Sequence, residues 1–439
     1  MIAQLEMEKT LVIKKEEKLR RFNHLQEKFT TFSDQRWIKT GEIVLLGLIF
    51  LLNFWLLADF FGWEDKTNVF SAPLLPFLVR MLTPFVPYEF GVRIWLIAFF
   101  LFLPITWYFF IKEISKRKLI GFLAALLMSL PVNFFLPSRI GLGLLGEDGP
   151  HIASLVFIPL VCLLLLKFLR HGHLNSGVFS AVGIVLVGLT SPFGLLVCFV
   201  FASIVVFSEM LLGQGRLKII RFILVLLLAA GLSAFWYNPK FLYLTLESPQ
   251  SLLIKQTFFN LLPISLFTIP ILSVFGFLLF ENRAHLQVLF IATFITLAFL
   301  ALSLGAGFFN PTPSRFGPAL GVAAAFLIAL GIVLAFDFLR FARIMDRLTV
   351  SFFQRQLVGF GLLFLVCFFM VLISFLFRSE LISLVDEQEL YIVPVGKKVG
   401  IWEIREQTTM VEALFGYLLS GATLLVIIFL KLKISKQRG

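Results

Sequence analysis

The feature that most constrains this chain is a series of apolar runs, each about as long as a membrane-crossing helix and uncharged through its middle. The hydrocarbon core of a bilayer is about 30 Å thick, and each helical residue advances about 1.5 Å, so a span needs roughly 20 apolar residues. About twelve such runs lie between charged or Pro/Gly breaks, over 42–61, 92–111, 119–137, 151–169, 177–189, 192–212, 219–236, 257–280, 286–304, 315–336, 357–377 and 410–430. The fifth is short, and Thr190, Ser191 and Pro192 interrupt what would otherwise be one long run. With 59% hydrophobic and 15% charged residues, the chain has too little polar surface to cover a soluble core of this size. Cys162, Cys198 and Cys367 lie inside the runs without metal-ligand spacing and are expected to be small buried hydrophobes.

These runs predict an all-α, polytopic transmembrane bundle of about 12 spans. Its expected organisation is a cytoplasmic amphipathic tail over 1–40, a transmembrane core over 41–336 and a C-terminal transmembrane pair over 337–439. The core carries external loops at 62–91 and 138–150, and the C-terminal pair carries an external segment at 378–409. Basic residues set the orientation. With the N-terminus in the cytoplasm, Lys112, Lys116, Arg117, Lys118, Lys167, Arg170, Arg216, Lys218, Arg221, Arg340, Arg343, Arg347 and Lys431 all fall on the inner side. The opposite loops hold most of the acids, among them Glu64, Asp65, Glu147, Asp148 and Glu247. Both termini are therefore expected to be cytoplasmic, with the protein in the cytoplasmic (plasma) membrane. The net charge of +12 then meets anionic lipid at the inner leaflet rather than nucleic acid.

Three segments outside the spans show a pattern. The N-terminal tail places Leu19, Phe22, Leu25, Phe29 and Phe32 at helical spacing, suiting a surface helix or a docking element for a membrane or cytoplasmic protein partner. In the first external loop, Phe70, Leu74, Phe77, Leu78, Met81, Leu82 and Phe85 form an apolar stripe. Pro73 and Pro76 open that helix and Pro84 and Pro87 close it, predicting an interfacial helix on the outer surface or a short packing helix. Within 378–409, two β-rich runs around Gly396 and Lys397 predict a small external hairpin.

No Asp, Glu, Lys, Arg or His occupies the centre of any run, whereas proton- and ion-coupled carriers hold charge at the midplane. Chemistry is expected at the outer rim. The loop from Arg139 to His151 is its most polar and Gly-rich part, and glycine permits close backbone approach to a ligand. Glu147 and Asp148 have the chemistry of a general base or of ligands for a divalent metal, the one cofactor these loops admit. Arg139 and Arg315 suit a pyrophosphate and His151 can donate to a phosphate. The same residues also suit solvated loop charges and helix caps, Asp148 at the head of the fourth run in particular.

Leu232–Pro239 (LSAFWYNP) resembles a segment of multi-pass prokaryotic proteins described as 6-pyruvoyl-tetrahydropterin-synthase-related membrane proteins, which look like members of the GT-C glycosyltransferase superfamily. Thr190–Gly194 (TSPFG) is similar to a Thr-His-Pro step in that group, with Ser191 in place of the histidine. Pro313–Phe316 (PSRF) resembles its Arg-Phe/Arg-Tyr step. The resemblance covers roughly 43–334 and implies a GT-C-like core that transfers a sugar from a polyprenyl-phosphate donor outside the cytoplasm. It implies Asp59, or the pair Glu64 and Asp65, as general base or metal ligand in the first external loop. Asp148 joins Asp59 and Asp65 as a catalytic candidate, and Glu64, Arg139, Glu147, His151 and Arg315 are the substrate-binding candidates. Departures are the absence of a clear Asp-x-Asp and the serine at 191, so a degenerate relative is included in the expectation. The competing expectations are a multi-pass transporter or flippase for a lipid-linked substrate, and a non-catalytic membrane subunit.

Overall fold

The computed structural model describes residues 36–58, 60, 72–132, 135–145, 148–211, 215–247, 286–304, 313–338, 365, 368–369, 371–378 and 408–438. Among these residues every element is helical and none is a strand. Five helices are long and apolar enough to cross a membrane: Tyr88–Ser115, Gly149–His171, Pro192–Leu211, Gly317–Ala335 and Met410–Leu432. Shorter apolar helices cover Gly41–Leu57, Lys118–Met128, Leu174–Thr190 and Gln287–Ser303. The tail through residue 35, the run at 257–280, most of 357–377 and the hairpin expected within 378–409 lie outside the described residues.

In chain order the helices are α1 (Arg36–Leu57), α2 (Leu74–Leu82), α3 (Tyr88–Ser115), α4 (Lys118–Met128), α5 (Leu136–Ile140), α6 (Gly149–His171) and α7 (Leu174–Thr190). They continue with α8 (Pro192–Leu211), α9 (Gly215–Ser233), α10 (Pro239–Glu247), α11 (Leu286–Leu304), α12 (Gly317–Phe338) and α13 (Met410–Arg438). The chain divides into two units, 1–51 and 52–439. The described part of the first is the start of α1, where Ile43, Val44, Leu48 and Leu51 are all exposed, as suits a helix facing lipid.

In the second unit α6 is the hub, packing against α3, α7, α8 and α9. Helix α12 packs on α4 and α11, and α13 packs on α9. Sequence punctuation explains the boundaries. Helix α3 ends at Lys116 and α6 at Gly172, both left-handed, with φ of 55° and 71°. Pro192 opens α8, and Ser191 caps it by accepting the Gly194 N–H at 3.1 Å. One expected span is shorter than the apolar run that suggested it. The run 119–137 forms a helix only to Met128, because Ser129 closes it with tight backbone bonds to Leu126 and Leu127 and Pro131 cannot continue it. The rest becomes α5 and a single π turn, Gly141–Leu145.

Helix α2 forms where the stripe predicted it. Leu75 and Val79 are buried and the helix packs on α3, with the Trp95 indole donating to the Leu78 carbonyl at 3.1 Å. Phe77, Met81 and Phe85 stay exposed on the other side.

Two polar pairings inside the bundle join its helices. Asn53 on α1 and Ser129 beyond α4 are both fully buried and bonded at 2.7 Å. Pro159 lies inside α6 and has no N–H, so the helix leaves the Leu155 carbonyl, four residues earlier, without its usual donor. The buried Trp107 indole on α3 supplies one at 3.2 Å. Proline in an apolar helix is tolerated when a neighbouring helix satisfies the carbonyl it frees. Trp107→Phe should therefore cost about 1–3 kcal/mol in unfolding measured in detergent. In a Pro159→Ala background, where a backbone N–H returns to Leu155, the same change should cost about 1 kcal/mol less. Strict additivity of the two substitutions would remove the bond from the account.

Candidate functional site

Three helices begin at one end of this bundle. His151 is the third residue of α6, Phe193 the second of α8, and Phe316 the last before α12. Their rings meet: His151 and Phe193 are 4.9 Å apart edge to face, and Phe193 and Phe316 are also 4.9 Å apart. Each helix N-terminus carries a partial positive charge of roughly +0.5 from its unpaired N–H groups and aligned peptide dipoles. The C-terminus of α7, at Thr190 just before Pro192, carries the opposite sign, so the N–H groups act locally, at the head of each helix.

Arg315, in the 3-10 turn Pro313–Phe316 that leads into α12, adds a full charge. Its guanidinium lies 4.2 Å from the Phe193 ring centre. Asp148 balances it: one carboxylate oxygen, Oδ2, accepts from Arg315 Nε at 2.8 Å and Nη2 at 2.7 Å. Asp148 occupies the N-cap position of α6, but its carboxylate makes no cap bond and is spent on Arg315 instead. The plain capping role open to it from sequence is not the one it takes. His151 is fully buried, and its Nε2 faces the Arg315 carbonyl oxygen at 3.1 Å. A carbonyl only accepts, so Nε2 carries the proton and Nδ1 of the neutral ring is an acceptor. Nδ1 is buried and has no partner.

Arg139, on the short α5, is also buried. It donates from Nη2 to the Met128 carbonyl and from Nε to the Phe135 carbonyl at 3.4 Å, while Nη1 has no partner. Burial pushes its guanidinium down to about 9, which leaves it cationic at neutral pH. The glycines of this loop serve packing. A Cβ at Gly143 would come within 2.7 Å of Ile152 and 2.9 Å of Phe100, and one at Gly149 within 2.6 Å of Leu96. They let α3 close on the head of α6, whereas the sequence suggested room for a ligand.

Of the eight candidates read from sequence, Asp148, His151 and Arg315 come together and Arg139 is buried on the neighbouring turn. Asp59, Glu64, Asp65 and Glu147 lie outside the described residues. Among the described residues no three His, Cys, Asp or Glu side chains converge in a metal-binding group. Phe193 touches both His151 and Arg315 and was not singled out in advance; in a chain with 55 Phe, one more ring carries no signal. The two other resembling segments flank the same place. Tyr237 donates its hydroxyl to the Gly188 carbonyl at 2.5 Å, next to Thr190–Gly194, and its burial pushes the phenol up. Asn238 caps α10 by accepting the Phe241 N–H at 2.7 Å.

Sequence reasoning also missed a second polar cluster at the other end of α6. Glu209, on α8 and almost fully buried, accepts from Arg170 Nη2 at 2.7 Å, Lys218 Nζ at 3.1 Å and Gln287 Nε2 at 2.7 Å. Gln287 also donates to Ser208 at 3.2 Å and accepts from Arg170 at 3.1 Å. Four helices, α6, α8, α9 and α11, are tied by one carboxylate. Its signal in sequence was a lone Glu at the end of an apolar run with basic residues nearby.

No protein-family model, curated protein or solved structure matches the chain.

The Arg315–Asp148 pair is part-buried, with side-chain exposures of 27% and 15%. Its value should fall between the exposed and buried limits, so Asp148→Ala should lower stability by about 1–3 kcal/mol. Thermal or chemical unfolding in detergent measures this, and a loss under about 0.5 kcal/mol would mean that solvent screens the pair.

Proposed function

We propose that this chain is a membrane glycosyltransferase of the GT-C type, acting on a polyprenyl-phosphate-linked sugar at the extracytoplasmic face of the cytoplasmic membrane. The observation that carries it is the meeting of three helix N-termini with Arg315 and His151 at one end of an apolar bundle. Oriented N–H groups, helix dipoles and an arginine fork are what a phosphate needs, and a donor dissolved in the bilayer reaches that end laterally. Two of the segments that carry the family resemblance, Thr190–Gly194 and Pro313–Phe316, touch there through Phe193 and Arg315. The bias of basic residues to the opposite loops supports a reading with this end outside the cytoplasm and both termini inside.

In the reaction an acceptor hydroxyl attacks the anomeric carbon, and the bond from that carbon to the phosphate oxygen breaks. A carboxylate takes the hydroxyl proton, and the polyprenyl phosphate leaves with the bonding electron pair. Arg315 and the helix N-termini hold the phosphate and stabilise the charge that builds on it. His151 Nδ1, an acceptor without a donor, suits a sugar hydroxyl rather than the anion itself. Asp59, Asp65 and Asp148 are the carboxylates proposed for the base, and Glu64, Glu147 and Arg139 complete the substrate contacts. A carrier fits less well: among the described residues, the buried Arg, His and Glu side chains, Arg139, His151 and Glu209, sit at helix ends and not at mid-span.

Membranes supplied with a labelled polyprenyl-phosphate hexose test the assignment. Arg315→Ala should lower transfer by about 100-fold or more, the usual cost of removing one preorganised donor to a developing charge. At least one of Asp59→Ala, Asp65→Ala and Asp148→Ala should abolish it. Full activity in all four variants would sink the assignment.

A further inference from the structure

The Arg315–Asp148 pair blocks the fork that a phosphate would use. We propose that Asp148 is a displaceable counter-anion, holding Arg315 when the site is empty and yielding the fork to an incoming phosphate. The inference rests on the reading that this end of the bundle takes a phosphate, and it adds how the empty site is kept and how it opens.

The geometry of the pair is the first support. Both Arg315 donors, Nε and Nη2, converge on the single oxygen Oδ2 at 2.8 and 2.7 Å. A phosphate that takes this Nε–Nη2 edge of the guanidinium competes with Asp148 for one seat. Charge is the second. Among the described residues Arg315 meets one carboxylate, Asp148, beside the N-termini of α6, α8 and α12, whose N–H groups favour a further anion. Without Asp148, Arg315 would stand against those positive ends unpaired, and this accounts for a carboxylate at an N-cap position that caps nothing.

Unfilled capacity is the third. Arg139 Nη1 and His151 Nδ1 are buried side-chain atoms with no partner, and their residues are only 1% and 0% exposed. Buried polar atoms are nearly always satisfied, and leaving one unsatisfied costs about 1–3 kcal/mol. The open acceptor, His151 Nδ1, lies beside the pair and is what a ligand hydroxyl would fill, while Arg139 Nη1 is an open donor on the neighbouring turn. On exchange, the phosphate takes Arg315 and the Asp148 carboxylate is released beside the bound substrate.

The test is binding, with no turnover needed, on the full-length protein in nanodiscs. The probes are undecaprenyl phosphate, inorganic phosphate and undecaprenol. Asp148→Asn keeps the shape and removes the competing charge, so it should bind undecaprenyl phosphate roughly tenfold more tightly than the wild type, as expected where the open pair is a minor state of about 10%. Arg315→Gln should lose the binding, and Asp148→Asn added to Arg315→Gln should restore none of it. Unchanged or weaker binding by Asp148→Asn, or a gain that persists without Arg315, would overturn the exchange. A second measurement uses the wild type alone: carbodiimide labelling of Asp148, read by peptide mass, should rise when undecaprenyl phosphate is added. Labelling that stays level or falls counts against the proposal.

The probes separate this inference from the proposed function. Equal binding of inorganic and lipid phosphate, with the Asp148→Asn gain intact, keeps the exchange and removes the lipid substrate. Binding of undecaprenol equal to that of its phosphate overturns both. Lipid-phosphate binding with the expected gain but no sugar transfer in any membrane assay keeps the exchange and removes the transferase.

Discussion

The two charged clusters of the described bundle lie at the ends of one helix that has no Asp, Glu, Lys, Arg or His between His151 and Lys167. From Asp148 to Arg170, α6 is roughly 30 Å long, which is about the thickness of a hydrocarbon core. Lipid offers no hydrogen bonds, so charged and polar side chains must sit at the ends or be paired inside. Both solutions appear on α6 and its neighbours. Asp148 and His151 start it, Arg170 finishes it, and the one carbonyl that Pro159 frees mid-helix is taken by Trp107 from α3. The hub position of α6 follows, because only a helix satisfied along its length can be surrounded by four others.

Helix positions were largely legible in the sequence, because the length of a charge-free run is set by the bilayer. The break at Ser191 and Pro192, for example, is a helix end and a capped helix start. The run to Pro137 was misleading for a physical reason. Hydropathy measures what a residue does to solvent, and it is blind to Pro131, whose effect is on the backbone. The stripe of α2 was read correctly as helical and apolar. That its Leu75 and Val79 side packs on α3 could not be read, since both of its faces are greasy.

The site was legible in its charges and not in its packing. Asp148, His151 and Arg315 stand out because charge is rare in this sequence, and three of the named residues do meet. What joins His151 and Arg315 is Phe193, which looks like any other apolar residue until α8 is placed beside α6. The glycines misled in the opposite sense: a Gly-rich loop beside charges looks like a ligand cradle, yet Gly143 and Gly149 make way for Phe100, Ile152 and Leu96. Glu209 was missed because pairing depends on tertiary structure. Arg170 and Lys218 counted only as topological charge, while in the fold they neutralise a carboxylate that four helices share.

The two ends of α6 differ in a way that bears on function. At the Arg170 end the accounting closes. Both oxygens of the Glu209 carboxylate accept, the Gln287 amide both donates and accepts, and Lys218 reaches the Glu209 carbonyl as well as its side chain. Such a closed network ties helices and leaves nothing to bind. At the Asp148 end it does not close: His151 Nδ1 is buried without a partner beside an ion pair, and Arg139 Nη1 is likewise open on the neighbouring turn. Among the described residues Asn238 Nδ2 and Ser303 Oγ are also buried without a partner, so an open atom does not by itself mark a site. What separates the two ends of α6 is that the open acceptor at one lies next to an ion pair that solvent still reaches, whereas the carboxylate at the other is held by three donor side chains.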